Sequence, residues 1–310
     1  PYGHELWRWT FPVNKLNQQT EQLSPLSSRP TYTETENELT VKANKRAFIF
    51  SKKDGQLKGV SVDNRKINFA NGPRFIGARR ADRSLDQFYN HDDEKAKEKD
   101  RTYSEFPDAA VFTKLDVKED GGNLVVTANY KLGNLDKAQW TINPSGELAL
   151  DYTYNFFGVV DLMGIRFDYP EDQVISKRWL GAGPYRVWQN RIHGTQYDVW
   201  ENDYNDPIPG ETFTYPEFKG YFGDVSWMNI QTKEGTISLT NETPDAYIGV
   251  YQPRDGRDRL LYTLPESGIS VLNVIPPVRN KVNSTDLCGP SSQPKWVNGP
   301  QTGRVIFRFM

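Results

Sequence analysis

The chain has 310 residues, with 38 Lys and Arg against 40 Asp and Glu, for a net charge of -2 at pH 7. That length buries a large core without help from disulfides or metal. The charge balance excludes the basic surface of a nucleic-acid binder and gives no pull towards an anionic membrane.

The single cysteine, Cys288, excludes a disulfide framework and a Cys-based zinc cluster. His4, His91 and His193 leave little for a His-rich metal site, so no cofactor is expected. The longest apolar run, Asn155–Ile165, is broken by Asp161 and two glycines and is too short to span a membrane. The start, PYGHELW, reads as a piece of a longer or processed polypeptide. The compartment stays open, with a periplasmic or secreted setting ahead of a cytoplasmic one. Aromatic residues make up 13% of the chain. Such richness favours strands, and rings also suit a protein that stacks on the C–H faces of sugars.

Residues 4–13 read as one strand, and 17–38 as a polar linker with two prolines. The first unit is therefore 1–38, and the main domain is 39–310. Phe48–Phe50 and Leu57–Val62 flank Asp54-Gly55, a hairpin signal. Val111–Val117 precedes the turn KEDGGN, and Leu124, Val126, Ala128 and Tyr130 alternate in the next strand. Residues 147–156 are the cleanest strand, with Leu148, Leu150, Tyr152, Tyr154 and Phe156 on one face. Asn143–Gly146 turns the chain before it. Further strands are predicted at Val225–Gln231, Thr236–Thr240, Ala246–Tyr251, Arg259–Leu264, Ile269–Val274 and Arg304–Phe309. Helix signals are scarce, with a turn or two at Ser84–Asn90. Closely spaced strands with turn residues between them predict an all-β, two-sheet antiparallel sandwich.

Carboxylates cluster at His91–Glu94 and at Glu201–Asp206. A glycosidase places two carboxylates around the scissile bond, but both clusters read first as solvated loops. Only His193 lies in an aromatic region, so histidine acid–base chemistry is poorly supplied. The densest stretch is 179–204, which combines Trp179, Tyr185, Trp188, Tyr197, Trp200 and Tyr204 with glycines, arginines and amides. Rings with bidentate donors serve a sugar site and equally a packed interface.

Within it, RWLGAGPYRVWQNR resembles the W-[LF]-G-x-G-P-x-E-N-Y-x-D-R segment of family 2 glycoside hydrolases of the β-galactosidase type. Trp179, Gly181, Gly183, Pro184 and Arg191 match. Trp188 stands at the family's tyrosine, Asn190 at its aspartate, and Arg186-Val187 replace Glu-Asn. Phe48–Lys58 resembles the family's opening hairpin and Trp140–Leu150 its next one. Pro73–Arg83 takes the place of R-A-P-x-D-N-D, with Arg79 and Asp82 matching. Pro216–Phe222 keeps Pro216 and Gly220 of P-x-E-N-G-x-R. Thr285–Pro290 takes the place of the D-S-x-G/S-P loop.

The resemblance implies a galactose mutarotase-like β-supersandwich, the small chain of such enzymes when encoded separately. His4–Phe11 would close a preceding immunoglobulin-like domain. The catalytic glutamates of the family lie in a (β/α)8 barrel, so no catalytic residue is expected here. The implied partners are that barrel, the immunoglobulin-like domains and a carbohydrate, with no nucleic acid and no membrane. Carbohydrate-facing candidates are Arg79, Asp82, Asp286, Cys288, Trp188, Arg191, Trp200 and Tyr204. Cys288 stands where the family carries a tryptophan that stacks on the galactosyl ring, which leaves galactose specificity open. Two other readings stand beside this one: a free-standing carbohydrate-binding module with a Trp188, Trp200 and Tyr204 platform, and a mutarotase-like epimerase.

Overall fold

The computed structural model describes Gly3 and residues 8–10, 28–80, 103–204, 220–250, 264–277 and 290–310. Among them the regular structure is strand, with two three-residue 3-10 turns at Glu171–Gln173 and Pro290–Ser292. No helix among the described residues is long and apolar enough to cross a membrane.

The chain enters its first sheet at β1 (Thr31–Glu34), which pairs with β2 (Glu38–Ala43) inside the stretch expected to be linker. All four β1 residues are exposed, so no apolar alternation marks them. β3 (Arg46–Ser51) and β4 (Leu57–Val62) form the expected hairpin, with Gly55 at φ +72° in its turn. β5 (Arg65–Ile67), β6 (Ala70–Arg80) and β7 (Tyr103–Glu105) follow.

The second sheet opens with β8 (Val111–Asp120) and β9 (Asn123–Lys131), joined at Gly121-Gly122, both at positive φ. β10 (Leu135–Ile142) and β11 (Leu148–Val160) are the next hairpin. The side-chain oxygen of Asn143 accepts from the backbone N–H of Ser145 and of Glu147 and fixes the turn. β11 buries Leu148, Leu150, Tyr152, Tyr154 and Phe156, as the alternation predicts. It runs four residues past the predicted end at Phe156 because its partner strand is also long.

β12 (Leu162–Asp168) returns to the first sheet. β13 (Val174–Gly183), β14 (Gln196–Asp203), β15 (Trp227–Thr232) and β16 (Gly235–Asn241) lie in the second, β17 (Tyr247–Gly249) and β18 (Ile269–Val274) in the first, and β19 (Lys295–Phe309) in the second.

Sheet one runs β1-β2-β3-β4-β6-β12-β18-β17, with β5 and β7 on its flanks; sheet two runs β14-β13-β15-β16-β19-β11-β10-β9-β8. Every paired strand is antiparallel. The expected class and two-sheet layout are what the chain forms.

The main core lies between the sheets. Phe69 packs on Phe167, Phe307 and Phe309, and Trp140 meets Phe50 and Phe167 edge to face or tilted. Each such ring contributes roughly 1.5–3 kcal/mol by leaving water, and offset or edge-on contact adds about 0.5–1.5 kcal/mol.

A second, smaller core covers the outer face of sheet one. Ile76, Ala78, Leu162 and Leu272 meet Tyr103, Val187, Trp188 and Tyr221 there. It exists because β6 is apolar on both faces, with Phe75 facing the main core and Ile76 and Ala78 facing out. Beyond Phe156, β11 pairs only with the start of β19 among the described strands. β10 ends its pairing at Tyr154, and β16 ends at Val305.

Candidate functional site

One end of the sandwich gathers most of the residues of interest. The C-terminal ends of β6, β11, β13, β16 and β18 meet there with the starts of β12, β15 and β19. Alternating strand direction brings Arg79, Ala182–Arg191, Asp224–Ser226, Asn241–Ala246 and Trp296 to this end.

The WLGAGP segment is the end of β13 and its exit. Trp179 is fully buried, meets Phe222 edge-on at 4.9 Å, and donates Nε1–H to the carbonyl of Ala182 at 3.0 Å. Gly181 and Gly183 are required by close approach. A Cβ at Gly181 would press on the backbone of Gly223 and Val225, and one at Gly183 would enter the Trp200 indole. Residues Val187 and Tyr221 then pair through reciprocal backbone bonds of 2.7 and 2.8 Å. Trp188 and Arg191 close a tight turn the same way, at 3.2 and 2.8 Å.

Trp188, one of the carbohydrate-facing candidates, is enclosed in this structure. It is 2% exposed and packs edge-on against Tyr221 at 5.8 Å and 84° within the second core. A sugar stacks on an open ring face, and this ring has none. Trp200 is half-buried against the main core, with Nε1–H donated to Gln196 O. Tyr204 is 39% exposed and donates to a carboxylate oxygen of Glu171 at 2.8 Å. The three rings therefore form no common platform. Glu201–Asp203, expected in a loop, lie on β14, where Glu201 faces Arg178 in register. Arg79 is half-buried near the end of β6. Asp82, Asp286 and Cys288 lie outside the described residues, as do His91–Glu94 and Ser84–Asn90.

The motif turn is joined to residues near the C-terminal strand. Gln189 donates its side-chain amide to the carbonyl of Gln293 at 2.7 Å, and Asn190 reaches the Ser292 hydroxyl at 3.5 Å. The motif turn is thus fastened to Ser292 and Gln293, just ahead of β19. Arg186 is 1% exposed and its guanidinium lies 5.9 Å from the Phe222 ring centroid. Burial pushes the Tyr221 hydroxyl above its ordinary range; the nearby Tyr103 adds to this and the Arg186 charge opposes it.

Sequence reasoning missed two features at this end. Phe157 and Trp296 are 72% and 61% exposed and meet edge-on at 5.1 Å. They project from the outer face where β11 pairs, among the described strands, with β19 alone. The second feature is a cleft of about 400 Å³ beside the motif. Ala182, Val225 and Ala246 form an apolar wall, and Asp224, Asp245, Tyr197 and Ser226 bring oxygens. The Tyr197 and Ser226 hydroxyls share a hydrogen bond of 2.6 Å, and the Tyr197 N–H donates to the Thr10 hydroxyl at the cleft edge. Asp224 and Asp245 both stand at the mouth with left-handed backbone, at φ +50° and +53°. Partial desolvation, then the like charge of Asp245, raises the Asp224 carboxyl above the usual carboxylate range. In sequence each acid sits in a plain turn, Gly223-Asp224 or Pro244-Asp245, and nothing local marks the pair.

A profile of the family described as β-galactosidase small chain matches residues 42–277. The chain belongs to that family. The small-chain match runs from β2 through β18 and includes the whole WLGAGP segment and the cleft-lining Asp224 and Asp245. No curated protein matches this small chain. Among solved structures it is similar to galactose 1-epimerase from Lactobacillus acidophilus NCFM, at 10% identity over 92% of this chain and 99% of that one, with a TM-score of 0.45. The GalM/aldose epimerase homologue from C. elegans gives 8%, 91%, 99% and 0.40. A copper-containing benzylamine oxidase from Hansenula polymorpha gives 7%, 91%, 60% and 0.35.

Proposed function

We propose that this small chain is the non-catalytic C-terminal β-supersandwich domain of a family 2 β-galactosidase-like glycoside hydrolase. It packs on a catalytic (β/α)8 barrel and shapes the rim of the sugar site. The observation that carries the reading is the family match over 42–277. The fastening of Gln189 and Asn190 to Gln293 and Ser292 supports it, because it ties the motif turn to residues that follow Thr285–Pro290 in sequence. The role is to position loops and exclude water, not to transfer protons. Arg79, Asp82, Asp286 and Cys288 are the proposed rim residues.

The test is hydrolysis of an aryl β-galactoside by the purified chain. No turnover is expected, and activity is expected to appear when the chain is supplied together with its barrel. Turnover by the chain alone, lost in Asp224→Asn, would replace this reading with a carboxylate-pair hydrolase centred on the cleft.

A further inference from the structure

The cleft beside the motif has a lining that selects among ligand classes. Among the described residues no Lys, Arg or His lines it, and it carries Asp224 and Asp245, which disfavour an anion. A bare hard cation takes about six to eight oxygens in one shell. Among the described residues no group of three or more His, Cys, Asp or Glu comes together to hold a metal. The volume of about 400 Å³ is also that of a small-molecule site. An ion has no use for the apolar Ala182, Val225 and Ala246 of the lining.

An uncharged polyol ring uses the carboxylates, the hydroxyl pair and the apolar side chains of this lining. Its hydroxyls donate to the carboxylates, which accept only. Its oxygens accept from the Tyr197–Ser226 hydroxyl pair, which is already in place at 2.6 Å. Its C–H face lies on the apolar wall. We infer that the cleft binds one pyranose-sized neutral polyol, with Asp224 and Asp245 accepting from its hydroxyls. This needs only the cleft and does not rest on the parent-enzyme reading.

The experiment titrates the full chain with galactose and with glucose, by calorimetry and by saturation-transfer NMR, with calcium chloride as a separate probe. At least one sugar is expected to bind with millimolar affinity. Asp245→Asn and Asp224→Asn are each expected to weaken it at least tenfold, since the amide replaces an acceptor with a donor. Asn tolerates the left-handed backbone at both positions, so the variants are expected to keep the parent circular dichroism spectrum and to melt no earlier than the parent. Absence of binding by both sugars overturns the inference. So does binding that survives both substitutions, or calcium binding that depends on Asp245. The inference and the parent-enzyme reading fail separately, because turnover and sugar titration are different measurements.

Discussion

Trp200 lies over Gly183, and the indole occupies the space a Cβ on that glycine would need. The two residues come from paired strands, where Gly183 faces Gln196 and Trp179 faces Trp200. The glycine of the WLGAGP segment is therefore a seat for a ring that the same stretch supplies seventeen residues later.

Gly183→Ala is expected to lower stability by about 1–3 kcal/mol through overpacking. Gly220→Ala is expected to do the same, because its Cβ would run into the Val187 carbonyl that pairs with Tyr221. Denaturant unfolding with unchanged m-values checks both. Wild-type stability in Gly183→Ala would show that the indole yields.

Trp188 and Trp296 should respond in opposite ways. Trp188→Ala removes a buried ring and is expected to cost about 3–5 kcal/mol. Trp296→Ala removes an exposed one and is expected to stay within about 0.5 kcal/mol. Parallel melts of the two variants decide this. Loss of sugar binding in Trp188→Ala would therefore report a damaged fold.

Asp224 gives a pH signature. Its folded pKa is raised by desolvation and by Asp245, so between the unfolded value and the raised one the native state holds more proton than the unfolded state. Its contribution is thus favourable to folding in acid and is lost as pH rises through that window. Asp224→Asn is expected to match or exceed the parent at neutral pH, with the advantage fading towards pH 4. Denaturant titrations across pH 4–8 read it as a difference between the two proteins.

Arg304 bridges Asp151 and Glu242, at 2.5 and 3.0 Å, with all three side chains 36–42% exposed. Screening limits such pairs to about 0–1 kcal/mol. Arg304→Met is expected to cost no more than that, and the difference should shrink in 1 M salt, as thermal melts at two salt concentrations will show.

β11 announced itself through five alternating apolar residues, and β18 through a short, largely apolar run, Ile269–Val274, with Gly268 before it and Pro276 after it. β1 was illegible because it is exposed throughout, and β6 because Asn71-Gly72-Pro73 and Gly77 read as breaks rather than as strand. The glycines of the motif were readable as close approaches. The role of Trp188 was not, because a buried tryptophan and a sugar platform share one letter. The cleft was invisible for a different reason: Asp224 and Asp245 meet only because β15 and β16 form a hairpin between them.

The ribbon formed by the end of β11 and the start of β19 has a geometric consequence. Its inner side stays in the packed interior, where Val160 is fully buried and Val297 rests on the main core, while its outer side carries the exposed rings of Phe157 and Trp296. Because successive side chains of a strand point to opposite faces, the outer residues can be exchanged one for one without touching the inner row. This end of the domain can therefore change its surface chemistry while its interior stays fixed.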